Sequence, residues 1–245
     1  MSEAATPAAP ILVAIDGPAG SGKSSVSRAV AERLGFGILD TGAAYRALAW
    51  ASLNIGVDLD DEAAVLALLD NWDYSSTLVG EQRIDVVLHD AKKYSTTFYD
   101  EITTAIREPA ISSQVSRVSQ HPAVRDRLNK MFREIVASSG LPGVVIEGRD
   151  ITTVVAPDAP VRILMTASPE VRAQRRAGEL SGVSHEQVLA DIIARDTKDT
   201  LVVDFMNPAP GVTLVDTSDL DFEQSIQAVI DVVQAAPPAV VEESM

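Results

Sequence analysis

A glycine-rich segment near the N-terminus has the residue types and spacing of a phosphate-binding loop. Residues 17–24 read Gly-Pro-Ala-Gly-Ser-Gly-Lys-Ser and match G-x-x-x-x-G-K-[ST] in full. Glycines let backbone N–H groups turn inward around a phosphate, and a helix that follows adds the positive end of its dipole. Lys23 would reach the β- and γ-phosphates, and the Ser24 hydroxyl would bind Mg²⁺. The predicted ATP site comprises Gly17, Pro18, Ala19, Gly20, Ser21, Gly22, Lys23, Ser24 and Ser25.

Two arginines in other segments point to an anionic second substrate. Arg46 lies in Asp40-Thr41-Gly42-Ala43-Ala44-Tyr45-Arg46, and Arg149 lies in Glu147-Gly148-Arg149-Asp150. Each segment follows a short aliphatic run, and the carboxyl ends of strands in doubly wound sheets face the binding crevice. A guanidinium group binds phosphate through two parallel hydrogen bonds. Either arginine alone is compatible with a solvated surface, whereas the two together beside a phosphate-binding loop favour a phosphate clamp.

A third set of arginines belongs to a predicted helix. Arg172 and Arg176 share one face at i, i+4, and Arg175 lies beside them. One interpretation is a lid that closes cationic groups over the transferring phosphoryl group. The other is a solvated helix face that pairs with Glu170.

The elements that position these residues alternate along the chain. Strands are predicted at Ile11–Ile15, Gly37–Leu39, Val144–Ile146, Val161–Met165 and Thr213–Val215; helices are predicted at Lys23–Leu34, Pro122–Ala137, Glu170–Ala177, His185–Asp196 and Phe222–Gln234. Aliphatic strands without polar alternation are typical of a parallel sheet buried on both faces. The order predicts an α/β fold with a doubly wound parallel sheet. Residues 72–98 alternate apolar and polar side chains instead, which predicts a small antiparallel insert.

Composition excludes several classes of function. The formal net charge is −15, so a polymeric nucleic acid or an anionic membrane is not an expected partner. The chain has no cysteine, which excludes disulfides and zinc–thiolate sites. No apolar run approaches the roughly 20 residues needed to cross a bilayer, and residues 1–10 lack the basic residue of a secretory signal. We therefore expect a cytoplasmic protein with no obligate protein partner.

The loop alone predicts a nucleoside triphosphate and leaves the reaction open. A GTPase would carry Asn-Lys-x-Asp, but Asn129-Lys130-Met131-Phe132 lacks the aspartate. A kinase for UMP, shikimate or a nucleoside stays open at this point, as does a regulator that senses ATP without turnover. The histidines at 89, 121 and 185 are scattered, which favours structural or surface roles over metal binding.

Taken together, the motifs resemble those of bacterial cytidylate kinases. The resemblance rests on the phosphate-binding loop, the Asp40–Arg46 segment, Gly148-Arg149-Asp150-Ile151-Thr152-Thr153-Val154-Val155 with Pro157-Asp158-Ala159, and the arginine-rich helix, and it runs from about 11 to 235. It implies a nucleoside monophosphate kinase fold with a helical lid. The implied layout is one domain over 10–235, with a monophosphate-binding part at about 41–120, an insert at about 72–98 and a lid at about 168–185, between flexible tails at 1–9 and 236–245.

The resemblance also implies substrates and residue roles. The substrates would be ATP, with Mg²⁺, and CMP or dCMP. Catalytic roles fall on Lys23, Arg46, Arg149, Arg172 and Arg176; CMP-binding roles fall on Thr41, Arg46, Ser116, Arg125, Arg149, Asp150, Arg195 and Asp199. The chain departs from the family pattern at two positions. Val202 stands where a third phosphate-binding arginine is common, and Glu147 stands where aspartate is common.

Overall fold

The computed structural model describes residues 10–89, 98–179, 184–200, 204 and 206–236. Of residues 98, 99, 179, 195, 198 and 199 it describes the backbone alone. The chain divides into two compact units, one of Met1–Ile38 with Ile135–Met245 and one of Leu39–Glu134. The predicted tails lie outside the described residues, apart from Ala236.

Eight strands and nine helices are present in these ranges. The strands are β1 (Ile11–Asp16), β2 (Gly37–Asp40), β3 (Trp72–Ser76), β4 (Ile84–Leu88), β5 (Phe98–Glu101), β6 (Gly143–Gly148), β7 (Val161–Thr166) and β8 (Thr213–Asp216). The helices are α1 (Lys23–Leu34), α2 (Thr41–Ile55), α3 (Glu62–Leu69), α4 (Pro109–Ser112), α5 (Val115–Ser119), α6 (Pro122–Ala137), α7 (Pro169–Glu179), α8 (His185–Thr200) and α9 (Phe222–Ala235). A 3₁₀ turn covers Ala105–Arg107 and a π-helical turn covers Ile151–Val155.

The central sheet has five strands in the order β2-β6-β1-β7-β8. β1 pairs in parallel with β6 and with β7, and β7 pairs in parallel with β8. This architecture confirms the predicted parallel α/β sheet. Each of its strands continues one or two residues past the predicted C-terminal end and so ends at Asp16, Asp40, Gly148, Thr166 or Asp216.

Aliphatic side chains form the core of the larger unit, as the scarcity of aromatic residues suggests. α1 and α9 pack against each other, α1 on β6 and α9 on β7 and β8. Their apolar faces meet the sheet through Val26, Val30, Ile226 and Val229, which are buried with Ile163. No helix in the described ranges is both long enough and apolar enough to span a membrane.

The smaller unit is built on α2, which packs against α3, α4, α5 and β4. β4 lies between β3 and β5 in an antiparallel sheet, and it buries Ile84, Val86 and Leu88 while its alternate residues stay partly exposed. This alternation confirms the predicted antiparallel insert. The imidazole of His121 is buried and lies 2.8 Å from the Leu59 carbonyl oxygen, which gives that histidine a structural role.

The first residue of β6 shows how closely the larger unit is packed. A Cβ at Gly143 would lie 2.6 Å from the Phe36 ring. Gly143→Ala is therefore expected to destabilise the protein by about 1–3 kcal/mol, the usual effect of overpacking. Added Phe36→Leu should recover part of that loss, because the shorter side chain opens the site. The free energy of unfolding from urea titration measures both effects.

Gly178 in α7 provides the matched control. A Cβ there would meet nothing within 4 Å, so Gly178→Ala should be neutral or stabilise the helix by up to about 1 kcal/mol. Equal losses at the two glycines would contradict the packing argument.

Candidate active site

The glycine-rich loop joins β1 to α1 in left-handed turns that suit glycine. Gly20 has φ 76° and Gly22, which precedes α1, has φ 85°. A Cβ at Gly20 would also lie 3.0 Å from the carbonyl oxygen of Arg172. The N-terminus of α1 has no side-chain cap, so its first N–H groups stay directed at the loop. The local backbone thus has the strand, loop and helix that an anion-binding loop requires.

Two side chains of the motif meet a buried carboxylate at the end of β6. The register pairs Ile15 with Glu147 and so aligns the C-terminal ends of β1 and β6. Ser24 Oγ donates to Glu147 Oε1 at 2.6 Å, and Lys23 Nζ lies 3.4 Å from Glu147 Oε2. Glu147 is 2% exposed. A hydroxyl and a carboxylate are hard oxygen ligands, which is the donor type that Mg²⁺ prefers.

Asp16, at the end of β1, anchors the segment that follows β6. One oxygen of its carboxylate accepts from the Ile151 N–H at 2.7 Å, and the other accepts from the Thr152 N–H at 2.9 Å and hydroxyl at 2.6 Å. The carboxylate thereby holds the start of the π-helical turn immediately after Arg149 and Asp150. The sequence prediction missed this residue, although an aspartate that ends an aliphatic strand is itself a signal.

The electrostatics of Asp16 are set first by its burial. Removal from water raises the pKa of its carboxyl above 3.8, the three hydrogen bonds oppose this rise, and the charge of nearby Asp150 adds to it. The carboxyl is 3% exposed, so its ionised form depends on those N–H and hydroxyl donors rather than on solvent.

Arg149 and Asp150 both lie in the larger unit, as does the phosphate loop. Arg149 Nη1 donates to the carbonyl oxygen of Gly17, the first residue of the loop. Asp150 is buried, and its carbonyl oxygen accepts from the N–H groups of Val154 and Val155 in the π-helical turn. The contact of Arg149 places the predicted acceptor-binding segment next to the first residue of the predicted ATP-binding loop.

Arg172 and Arg176 both lie on α7 at the predicted i, i+4 spacing, but their environments differ. Arg176 is exposed, whereas Arg172 is 2% exposed and its Nη1 lies 2.6 Å from Asp196 Oδ2. Arg172 also donates to the carbonyl oxygens of Ala167 at 3.0 Å and Ala19 at 3.1 Å. Arg172 was expected in a lid or on a solvated helix face. In the structure it is buried and contacts the phosphate-binding loop.

In the smaller unit, Asp40 holds Arg46. Asp40 caps α2 by accepting from the Ala43 N–H at 3.0 Å, and its other oxygen lies 2.8 Å from Arg46 Nη2. A Cβ at Gly42 would lie 3.1 Å from both Arg46 Nη1 and Asp40 Oδ1, so glycine leaves room for the pair. Arg46 Nε is buried and has no hydrogen-bond partner among the described residues. The capping aspartate was not predicted, although Asp before a helix is a known N-cap signal.

Tyr74 on β3 belongs to the same electrostatic environment. Burial raises the pKa of its phenol, the charge of Asp40 adds to the rise, and the charge of Arg46 opposes it. The phenol therefore stays protonated and able to donate. Sequence reasoning did not identify Tyr74.

The remaining predicted CMP residues are spread over both units. Thr41 is buried in the first turn of α2. Ser116 is exposed on α5 and Arg125 is partly buried on α6. Arg195 and Asp199 lie on α8, but their side chains are outside the described part, and Val202 is outside it entirely. Their roles stay predictions.

Comparison with known proteins gives a consistent assignment. A family profile described as cytidylate kinase matches residues 13–235. A cytidylate kinase of Cutibacterium acnes is 42% identical over 228 residues, which cover 91% of this chain and 96% of that protein. One of Streptomyces coelicolor is 40% identical over 236 residues, which cover 96% and 97%. An uncharacterized Eubacterium ventriosum protein of known structure has a TM-score of 0.50 at 12% identity, over 92% of this chain and 99% of that chain, and supports the fold alone.

The burial of Asp16 leads to a pH prediction. Because its pKa is raised from 3.8 in the folded state, the folded protein keeps this proton over a pH range in which the unfolded chain has lost it. Its contribution to stability therefore falls as pH rises from 3.8 through the folded pKa, and is constant above. Asp16→Asn removes the titration. The free energy of unfolding of the wild type minus that of Asp16→Asn should fall over this window in urea titrations at successive pH values; a flat or rising difference would contradict the burial argument.

Proposed function

The chain belongs to the cytidylate kinase family, and on that premise we propose that it transfers the γ-phosphoryl group of ATP to CMP, and also to dCMP. The products would be ADP with CDP or dCDP. The observation that carries the proposal is the complete phosphate-binding loop between β1 and α1, with Lys23 and Ser24 gathered at Glu147. We place the reaction in pyrimidine nucleotide metabolism in the cytoplasm.

The donor is bound by the larger unit in this proposal. Backbone N–H groups of residues 20–24 surround the phosphates, and Lys23 neutralises charge at the β- and γ-phosphates. Ser24 and Glu147 would hold Mg²⁺, directly or through water, and the ion would add charge neutralisation to that of Lys23. Arg176, which is exposed on α7, is assigned to the γ-phosphate.

The acceptor phosphate is assigned to Arg46 and Arg149. A phosphate monoester has a second pKa of about 6, so it is largely dianionic at neutral pH and needs no general base. Catalysis then consists of positioning and charge neutralisation. In the smaller unit the Asp40 carboxylate orients the Arg46 guanidinium at 2.8 Å, and Arg46 Nε, which has no hydrogen-bond partner in the described part of the chain, is a buried donor that suits an anionic oxygen.

The base and sugar are assigned to residues carried over from the family. Ser116, Arg125 and Asp150 would bind cytosine, and Arg195 and Asp199 would contact the ribose. Thr41, in the same segment as Arg46, is also assigned to CMP binding. A carboxylate accepts from the exocyclic amine of cytosine and repels the carbonyl that uracil has at that position. Asp150 is buried, and a polar contact to the base is stronger in a buried site than in water, which supports this role.

Acceptor specificity is the direct test. Initial rates of ADP formation from ATP should be highest with CMP and dCMP, and lower with UMP, AMP, shikimate or cytidine. Lys23→Ala should lower turnover by about 100-fold or more, the size of losing one preorganised charged donor, while CMP binding stays close to that of the wild type. Full turnover in Lys23→Ala would overturn the loop assignment. Failure of CMP to stimulate ADP formation would favour an ATP-sensing regulator instead.

Asp150→Ala tests how the base is selected. Losing the carboxylate should narrow the preference for CMP over UMP by roughly 5- to 150-fold, the equivalent of ~1–3 kcal/mol for one base contact. The readout is the ratio of kcat/KM for the two acceptors. Asp158→Ala is the matched control, because Asp158 is an exposed aspartate in the same segment. An unchanged ratio in Asp150→Ala would remove its role in reading the base.

A further inference from the structure

Alternate carbonyl groups of the phosphate loop are held by arginine side chains. Arg149 donates to the Gly17 carbonyl, Arg172 donates to the Ala19 carbonyl at 3.1 Å, and Arg175 donates to the Ser21 carbonyl at 3.0 Å. Two of these arginines come from α7. The contacts are to main-chain oxygen atoms, so they act on the shape of the loop.

The geometry of the peptide unit gives these contacts a functional consequence. A trans peptide is planar, and its C=O and N–H point in opposite directions. A guanidinium that fixes the carbonyl of Ala19 therefore also fixes the N–H of Gly20, and one that fixes the carbonyl of Ser21 fixes the N–H of Gly22. Both glycines have positive φ and large intrinsic freedom. Without external restraint, these two N–H groups would sample many directions.

Arg172 is itself held rigidly enough to act as a restraint. Its guanidinium reaches three acceptors: Ala167 O at 3.0 Å, Ala19 O at 3.1 Å and Asp196 Oδ2 at 2.6 Å. Its own backbone lies against Gly20, where a Cβ would come within 3.0 Å of the Arg172 carbonyl. A lysine ammonium lacks the planar fork that satisfies acceptors in fixed directions.

Arg175 connects the loop to the segment after β8. Its Nη1 donates to Ser21 O and to Thr217 Oγ1, both at 3.0 Å, and its Nη2 donates to the carbonyls of Thr217 at 2.7 Å and Leu220 at 3.3 Å. Thr217 is fully buried, so this end of the bridge is part of the core of the unit. Arg175 thus links the buried Thr217 to the carbonyl oxygen of Ser21, the residue before Gly22.

We infer that Arg172 and Arg175 are positioning residues that orient the Gly20 and Gly22 N–H groups toward the phosphates of the nucleotide. The inference rests on the donor half of the proposed function. It gives Arg172 a role through the backbone of the loop, without contact to the transferring phosphoryl group. Positive charge behind each carbonyl also polarises the peptide and strengthens its N–H as a donor.

The test is equilibrium binding of ADP to variants that lose the restraint but keep the fold. Arg172→Met alone would leave the Asp196 carboxylate buried without its partner, so we pair it with Asp196→Leu, since apolar replacement of a buried ion pair is often neutral for stability. Arg175→Met is the second variant, and Arg33→Met is the matched control, because Arg33 pairs with Glu223 on the surface. Calorimetry measures the Kd values for ADP and CMP, and thermal unfolding measures the fold.

Arg175→Met and the Arg172→Met/Asp196→Leu pair should each weaken ADP binding by about 10-fold, the scale of one charge-assisted hydrogen bond. CMP binding should stay within about 2-fold, and Arg33→Met should leave both ligands unchanged. In amide NMR spectra, the Gly20 and Gly22 signals should shift on ADP binding in the wild type, and the Gly22 shift should shrink in Arg175→Met.

Two results would overturn the inference. One is ADP binding that matches the wild type in both variants; the other is a parallel loss of ADP and CMP binding that follows the loss of thermal stability. ADP binding needs no acceptor chemistry, so the proposed function is judged separately. A wild-type chain that binds ADP but fails to phosphorylate CMP would end the proposed function and leave the role of the two arginines standing.

Discussion

Parallel pairing of β1 with β6 is the constraint on which the larger unit depends. The register sets Asp16 beside Gly148, so the phosphate loop and the Arg149 segment leave the sheet at the same edge. Two carboxylates at this end of the sheet have different partners. Glu147 accepts a hydrogen bond from the Ser24 side chain of the loop, and Asp16 accepts hydrogen bonds from the backbone N–H groups that follow Asp150. A slip of one residue in this register would separate both carboxylates from their partners, because strand side chains alternate between faces.

Two buried charges in this unit, those of Asp16 and Arg172, are matched by directed hydrogen bonds. Asp16 is surrounded by N–H and hydroxyl donors, and Arg172 is surrounded by carbonyl and carboxylate acceptors. Taking either charge out of water without such partners would be strongly unfavourable. In a chain with a net charge of −15, hydrogen bonds fix the guanidinium groups of Arg149, Arg172 and Arg175 beside the loop. This reconciles an acidic protein with anionic substrates.

The sequence predicted the fold well because its signals are local. The aliphatic strands and the alternation in β4 depend on residues next to one another, and so does the glycine spacing of residues 17–24. The insert was recognised from its period of two, which β4 shows in its buried Ile84, Val86 and Leu88. The site was harder to predict. Arg172 and Arg176 have equivalent positions on one helix face, so the sequence gives no reason to expect different exposure. Arg172 is buried because it pairs with Asp196, which lies 24 residues later in the chain. Asp16 contacts residues 135 and 136 positions away, and no local pattern encodes that separation.

The arginine contacts to the carbonyls of Ala19 and Ser21 have an evolutionary corollary. Every amino acid supplies the same carbonyl oxygen, so the contacts of Arg172 and Arg175 do not depend on which side chain stands at position 19 or 21. Covariation between these positions and the arginines would carry no trace of the contact. The dependence is one-sided, because the contact needs an arginine on α7 but only a main-chain oxygen in the loop.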